Sequence, residues 1–221
     1  MSTADAAVLR TAGSANGGGS LPAPPPASMR GNLLPQATRG AGLWVFVAVA
    51  TTLFSLFITA YIMRMSAGDA TSVDLPRQLW LSTALLVLGS VLLHNASRAA
   101  AISQADRARS LLLAGGITAI AFVAAQAWAW AVLSSQQVTL AGNPFGSFFY
   151  LLTAMHALHV AGGLVGWWVV SRHVRRAFED SAWRIALCAR YWHFLLLAWL
   201  ALFAALSWIT PEVARIICRT G

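Results

Sequence analysis

FFYLLTAMHALHVAGGLVGWW runs from Phe148 to Trp168. None of its residues carries a fixed charge, and its length matches the roughly 20 residues a helix needs to cross a bilayer. It also holds His156 and His159, three residues apart and so on one helix face. Two readings are open for the pair: ligands for a haem or metal, or polar groups that join helices.

The rest of the chain supports the membrane reading. Of 221 residues, 58% are hydrophobic and 10% charged, where a soluble domain carries about a quarter charged residues. Apolar segments cover Gly42–Met63, Gln78–Ala96, Leu111–Leu133, Phe148–Val170 and Cys188–Ile209. The seven acidic residues all fall outside them, as lipid demands of a charge. The expected fold is therefore all-α: a polytopic membrane protein with five transmembrane helices. Residues 41–211 form the bundle. Residues 1–40 form a Gly-, Pro- and Ser-rich tail expected to be disordered, without the apolar core of a signal peptide. Residues 212–221 form a short periplasmic tail.

All fifteen basic residues are arginine. With the N-terminus cytoplasmic, eleven lie on the inner side (Arg10, Arg30, Arg39, Arg98, Arg107, Arg109, Arg172, Arg175, Arg176, Arg184, Arg190). Four lie outside (Arg64, Arg77, Arg215, Arg219). That bias gives an N-in/C-out topology. It also accounts for the net charge of +8 without nucleic acid, for which no basic run or motif is present. Loop 134–147 is uncharged and reads as an outer loop turning at Asn143-Pro144. Cys188 and Cys218 then lie on opposite sides of the membrane. With no CxxC or Cys/His cluster, a zinc site is not expected.

A haem b between helices needs two histidines at one depth on opposed helices. His156 lies about 12 Å in from the outer surface by helical rise, and no other span has a histidine there. His94 and His193 both fall near the inner side and can face each other. The reading adopted for His156, His159 and His193 is neutral hydrogen bonding between helices. Gln126 and Thr83 join the same structural polar network, alongside other in-span groups such as Ser82, Ser90, Thr51 and Thr153. For any single Ser or Thr, a bond to its own helix is as good an alternative. Trp44, Trp167, Trp168, Trp192 and Trp208 sit near span ends, as an interfacial belt would. Arg190, Trp192 and Trp80 are candidate lipid contacts. Small residues in the third span (Gly115, Gly116) and the fourth (Gly162, Gly163, Gly166) suit close helix approach.

At this point the motifs resemble a known family. HALHVAGG after FFYLLTAM is similar to the HGxHV helix of haem-copper oxidase subunit III. Tyr191-Trp192-His193-Phe194, followed by Trp199, resembles its YWHF helix. Asp74-Leu75-Pro76 with Leu79-Trp80, Thr83 and Leu85-Leu86 resembles its LPxxLW helix. Gly42-Leu43-Trp44-Val45-Phe46 with Leu53-Phe54, and Gln126 with Trp130, resemble two further segments. The resemblance implies the short five-helix form of that subunit, an accessory part of a cytochrome c or quinol oxidase in the bacterial inner membrane. It implies no cofactor, metal or catalytic residue in this chain, and haem and copper in the partner catalytic subunit. It also implies subunits I and II and phospholipids as partners, and support of assembly, lipid binding and turnover stability as the role. Three carboxylates of the family pattern align with Ala50, Ala129 and Leu196. That departure also suits a subunit III-like accessory protein of nitric oxide reductase. A haem b membrane anchor is a further alternative.

Deleting residues 1–30 is expected to leave assembly of the complex intact, because that segment holds almost nothing that can pack. Co-purification of the truncated chain with its partners checks this, and loss of the complex would show that the tail docks.

Overall fold

The computed structural model describes residues 38–66, 77–135, 144–178 and 181–208. The N-terminal tail, the turn at Asn143-Pro144, Cys218 and the C-terminal tail 212–221 lie wholly or in part outside the described residues. Among those described, the chain is all-helical and forms five helices. They are α1 (Thr38–Ser66), α2 (Gln78–Ala101), α3 (Ala105–Ser135), α4 (Pro144–Arg176) and α5 (Ala182–Trp208). All five are long and apolar enough to cross a membrane. Every helix covers the apolar segment expected for it, except that Ile209 lies beyond the described part of α5. Most run on past it, because polar residues near the interface keep helical hydrogen bonds after the apolar run ends.

The α2–α3 connection shows how tightly the chain can turn. Ser103 takes a left-handed conformation, φ 59°. Its N–H donates to Ala100 O (3.2 Å), and Gln104 N–H donates to Ala99 O (3.0 Å). These are the paired bonds of a Schellman cap, with serine where glycine is usual. Gln104 O then accepts from Ala108 N–H at the start of α3. Between α4 and α5, Ser181 is fully buried; its hydroxyl donates to Ala177 O and its carbonyl accepts from Ile185 N–H.

Helices α2, α3, α4 and α5 form a closed bundle in which α2 packs on α3 and α5, and α4 packs on the same two. At the α2–α3 crossing, Gly89 and Gly115 face each other. A Cβ on Gly89 would lie 3.6 Å from Gly115 O, and one on Gly115 would press into Leu93 at 2.7 Å. The missing side chains let the two backbones approach. Nearby, Gly116 leaves the space that the Trp167 ring fills: a Cβ there would fall 2.0 Å from the indole. That indole donates from Nε1 to Leu112 O at 2.7 Å, tying α4 to α3.

Helix α1 meets the bundle differently, through rings. Phe46 packs on His159 and Tyr191, Phe54 on His156 and His159, and Tyr61 on Phe148. Ala50, Phe54, Tyr61 and Met65 are buried, while Trp44, Val45, Val49, Leu56 and Met63 face outward. Thr51, Thr52 and Thr59 are exposed and donate to carbonyls of their own helix, as the alternative reading of in-span threonines allowed.

Gly116→Ala is expected to destabilise the bundle by about 1–3 kcal/mol, as overpacking does, because the rigid indole must move off its carbonyl. Gly166→Ala, where a Cβ meets nothing within 4 Å, is expected to be neutral or slightly stabilising. Thermal unfolding of both variants in one detergent checks the contrast.

Candidate functional site: a stapled polar layer

The polar side chains inside the spans are spread along the helix contacts. Near the α2–α5 contact, His193 Nδ1 is 2.6 Å from Ser90 Oγ. His193 Nε2 is 3.4 Å from His94 Nδ1, with ring centroids 5.4 Å apart. The two histidines expected near one depth are thus brought together. The rings touch directly, leaving no slab of space for a macrocycle between them.

Further along the same contact, Trp199 Nε1–H donates to Thr83 Oγ1 (2.9 Å), and Thr83 donates to Leu79 O (2.7 Å). Ser82 also donates to Leu79 O, at 2.9 Å. Gln126 of α3 donates from Nε2 to Ser82 Oγ, at 3.3 Å. Between α3 and α4, Trp130 Nε1–H donates to Thr153 Oγ1 (3.1 Å), which donates to Phe149 O. Between α5 and α4, the Tyr191 hydroxyl donates to His159 O at 2.8 Å.

Of the residues expected in the polar network, His193, Gln126 and Thr83 make bonds between helices. His159 does not do so through Nδ1, which donates to Met155 O of its own helix at 2.7 Å. His156 is 1% exposed, and neither ring nitrogen has a hydrogen-bond partner. Its ring lies among Phe54, Phe122 and Trp199, with centroids 6.3, 5.8 and 5.2 Å away.

Among the candidate lipid contacts, Trp80 is 67% exposed and packs edge-on to Phe203, and Arg190 is exposed. Trp192 is fully buried. It sits on the bundle side of α5 and presents no face to lipid. Trp167, expected in the interfacial belt, is turned inward onto α3. Both departures have one cause: an indole near a helix end serves an inward face as well as an outward one.

Two features were not read from the sequence. One is the set of indole donors Trp130, Trp167 and Trp199, which bond across helix contacts. The other is a cavity of about 290 Å³ between α1, α4 and α5, walled by Leu43, Gly163, Trp183, Arg184, Leu187 and Tyr191. The Arg184 guanidinium lies over the Trp183 ring at 4.6 Å. Among the described residues, no group of three or more His, Cys, Asp or Glu side chains could hold a metal ion.

Residues 41–210 match the family cytochrome c oxidase subunit III. The chain belongs to that family. A cytochrome c oxidase subunit 3 of Synechocystis is 31% identical over 173 residues, 73% of this chain and 72% of that protein. A probable quinol oxidase subunit 3 of Staphylococcus saprophyticus is 24% identical over 181 residues, 76% of this chain and 87% of that protein. The probable cytochrome c oxidase subunit 3 of Mycobacterium bovis is 33% identical over 90 residues, 40% of this chain. The chain spans 44% of the length of that mycobacterial relative. The resemblance read from the five motifs and the family match agree, and the described residues of the motifs lie on five separate helices.

The Trp199–Thr83 bond is expected to show a coupling of about 0.5–1.5 kcal/mol in a double-mutant cycle of Trp199→Phe and Thr83→Val, within the range of hydrogen bonds between membrane helices. Reversible unfolding of the four chains in mixed micelles measures it; additive losses would show that the bond contributes nothing.

Proposed function

We propose that the chain is the accessory, non-redox subunit III of a respiratory haem-copper oxidase. It sits in a bacterial inner membrane with its N-terminus inside, bound to catalytic subunit I and to subunit II. The complex oxidises cytochrome c or a quinol and reduces oxygen to water, with haem and copper in subunit I. The observation that carries this reading is the family match over residues 41–210. Two features support a non-redox role: the in-span histidines are engaged in or enclosed by helix packing, and their surroundings do not fit an axially ligated haem. The bias of arginine toward one side supports the orientation.

Phospholipid is the second expected partner. The crevice between α1, α4 and α5 suits an acyl chain, with Arg184 in its wall to meet a phosphate. Exposed Arg190 and Trp80 are further contacts in the assembled complex. Assembly and turnover stability follow from this packing role.

Gentle detergent purification through a C-terminal tag tests the reading. A haem-copper oxidase catalytic subunit and its haem spectrum are expected to co-purify, and the tag is expected to be reachable from outside intact spheroplasts. Recovery with a nitric oxide reductase, or a reduced α-band from the separated chain, would overturn it.

A further inference from the structure

The outer edge of the α2–α5 contact carries polar groups that the bundle leaves unfinished. Ser90 is 1% exposed, and His193 Nδ1, at 2.6 Å, is the hydrogen-bond partner of its hydroxyl among the described residues. His193 Nε2 lies 3.4 Å from His94 Nδ1. His193 is half-buried and His94 is exposed. The three side chains therefore form a hydrogen-bonded chain from the core to the surface.

Counting protons fixes the direction of that chain. A neutral imidazole has one N–H and one lone pair. If His193 Nδ1 gave its proton to Ser90, the buried hydroxyl proton would be left without an acceptor, which costs stability. With Ser90 donating to His193 Nδ1, His193 Nε2–H donates to His94 Nδ1 and each of these protons is placed. His94 then keeps Nε2–H, a donor on an exposed ring.

The neighbours of that donor are positive. Arg98 follows His94 by four residues and Arg190 precedes His193 by three, so each shares its histidine's helix face. Both arginines are exposed, and so is Asn95. Neither α2 nor α5 contains an Asp or Glu. The edge offers donors and positive charge and lacks an anion. Lipid phosphates lie at the level of the arginines, near the helix ends. His94 is about 6 Å deeper than Arg98 by helical rise, where an exposed polar ring is costly against lipid. A side chain on a neighbouring helix can be set at that depth.

We propose that this edge is the docking point for an acidic side chain on a membrane helix of a partner polypeptide. The carboxylate accepts the His94 Nε2–H and faces Arg98, with Arg190 adding to the positive field. This is a charge-assisted contact, and it satisfies the one donor that the Ser90–His193–His94 chain directs outward. The inference rests on the reading of the chain as an accessory subunit and names the face through which it binds.

The test uses the full chain in its native membrane, with photoreactive p-benzoylphenylalanine in place of Val91, an exposed residue one turn from His94. Illumination is expected to join it to a membrane helix of a co-purifying polypeptide, with an Asp or Glu within a turn of the attachment. His94→Leu is expected to weaken retention of that polypeptide about tenfold, as loss of a hydrogen bond to a charged group does. His94→Gln, which keeps an N–H, is expected to retain it. Neutralising the partner's acid is expected to weaken retention by the wild-type chain and to add nothing in His94→Leu. Adducts with lipid alone, a joined helix without an acid there, or full retention by His94→Leu would overturn the proposal. Recovery of an oxidase catalytic subunit with the wild-type chain is measured separately, so the proposed function can stand where this docking point fails.

Discussion

Inside a bilayer a polar group has no water to turn to, and this one constraint organises the bundle. Each indole, hydroxyl and amide in the core must find its partner on a neighbouring helix or on its own backbone. At several contacts the structure meets it with donors that have a single proton to give, while buried Trp192 Nε1 and Ser171 Oγ have no hydrogen-bond partner among the described residues. Trp199, Trp130 and Trp167 each give it across a helix contact, and Tyr191 gives its own to a backbone carbonyl. A tryptophan does two jobs at once here: its ring fills volume and its N–H ends on a partner. His156, enclosed by Phe54, Phe122 and Trp199, keeps both ring nitrogens without a hydrogen-bond partner.

The same constraint separates the two kinds of helix contact. Between α2 and α3 the glycines remove side chains, so backbones approach and dispersion between main chains holds them. Around α1 the contact is made by rings that keep the helix at a distance. A contact made of rings leaves crevices, and the 290 Å³ cavity beside Tyr191 and Leu43 is one. The four-helix core is closed by backbone approach and indole bonds, while α1 rests on it through rings and leaves a crevice beside it.

The fold was largely legible in the sequence, because the apolar spans and the charges between them follow directly from the solvent. The five helices stand where the spans do, and α2 starts at Gln78 as expected. Which face each helix turns inward was less legible. The segments are apolar all round, so composition does not say which tryptophan meets lipid. Trp80 is turned outward and Trp192 inward, though both carry the same signal in a linear reading. The histidines divide in the same way. His94 and His193 were matched by depth, and that sufficed to bring them together. The difference between His159 and His156 depends on side-chain direction along α4, which i, i+3 spacing leaves open.

The positions where the family pattern has carboxylates add a last step. Ala50 and Ala129 are buried, and Leu196 is half-buried. A carboxylate in such a place needs a cation or several donors, or it destabilises the bundle strongly. Small and apolar residues there are consistent with a polar layer built from neutral groups. Its ionisable members among the described residues are histidines: His94 and His193 meet at 3.4 Å, and His156 is enclosed by rings. A role that passes protons through it would need groups that Ala50, Ala129 and Leu196 do not provide.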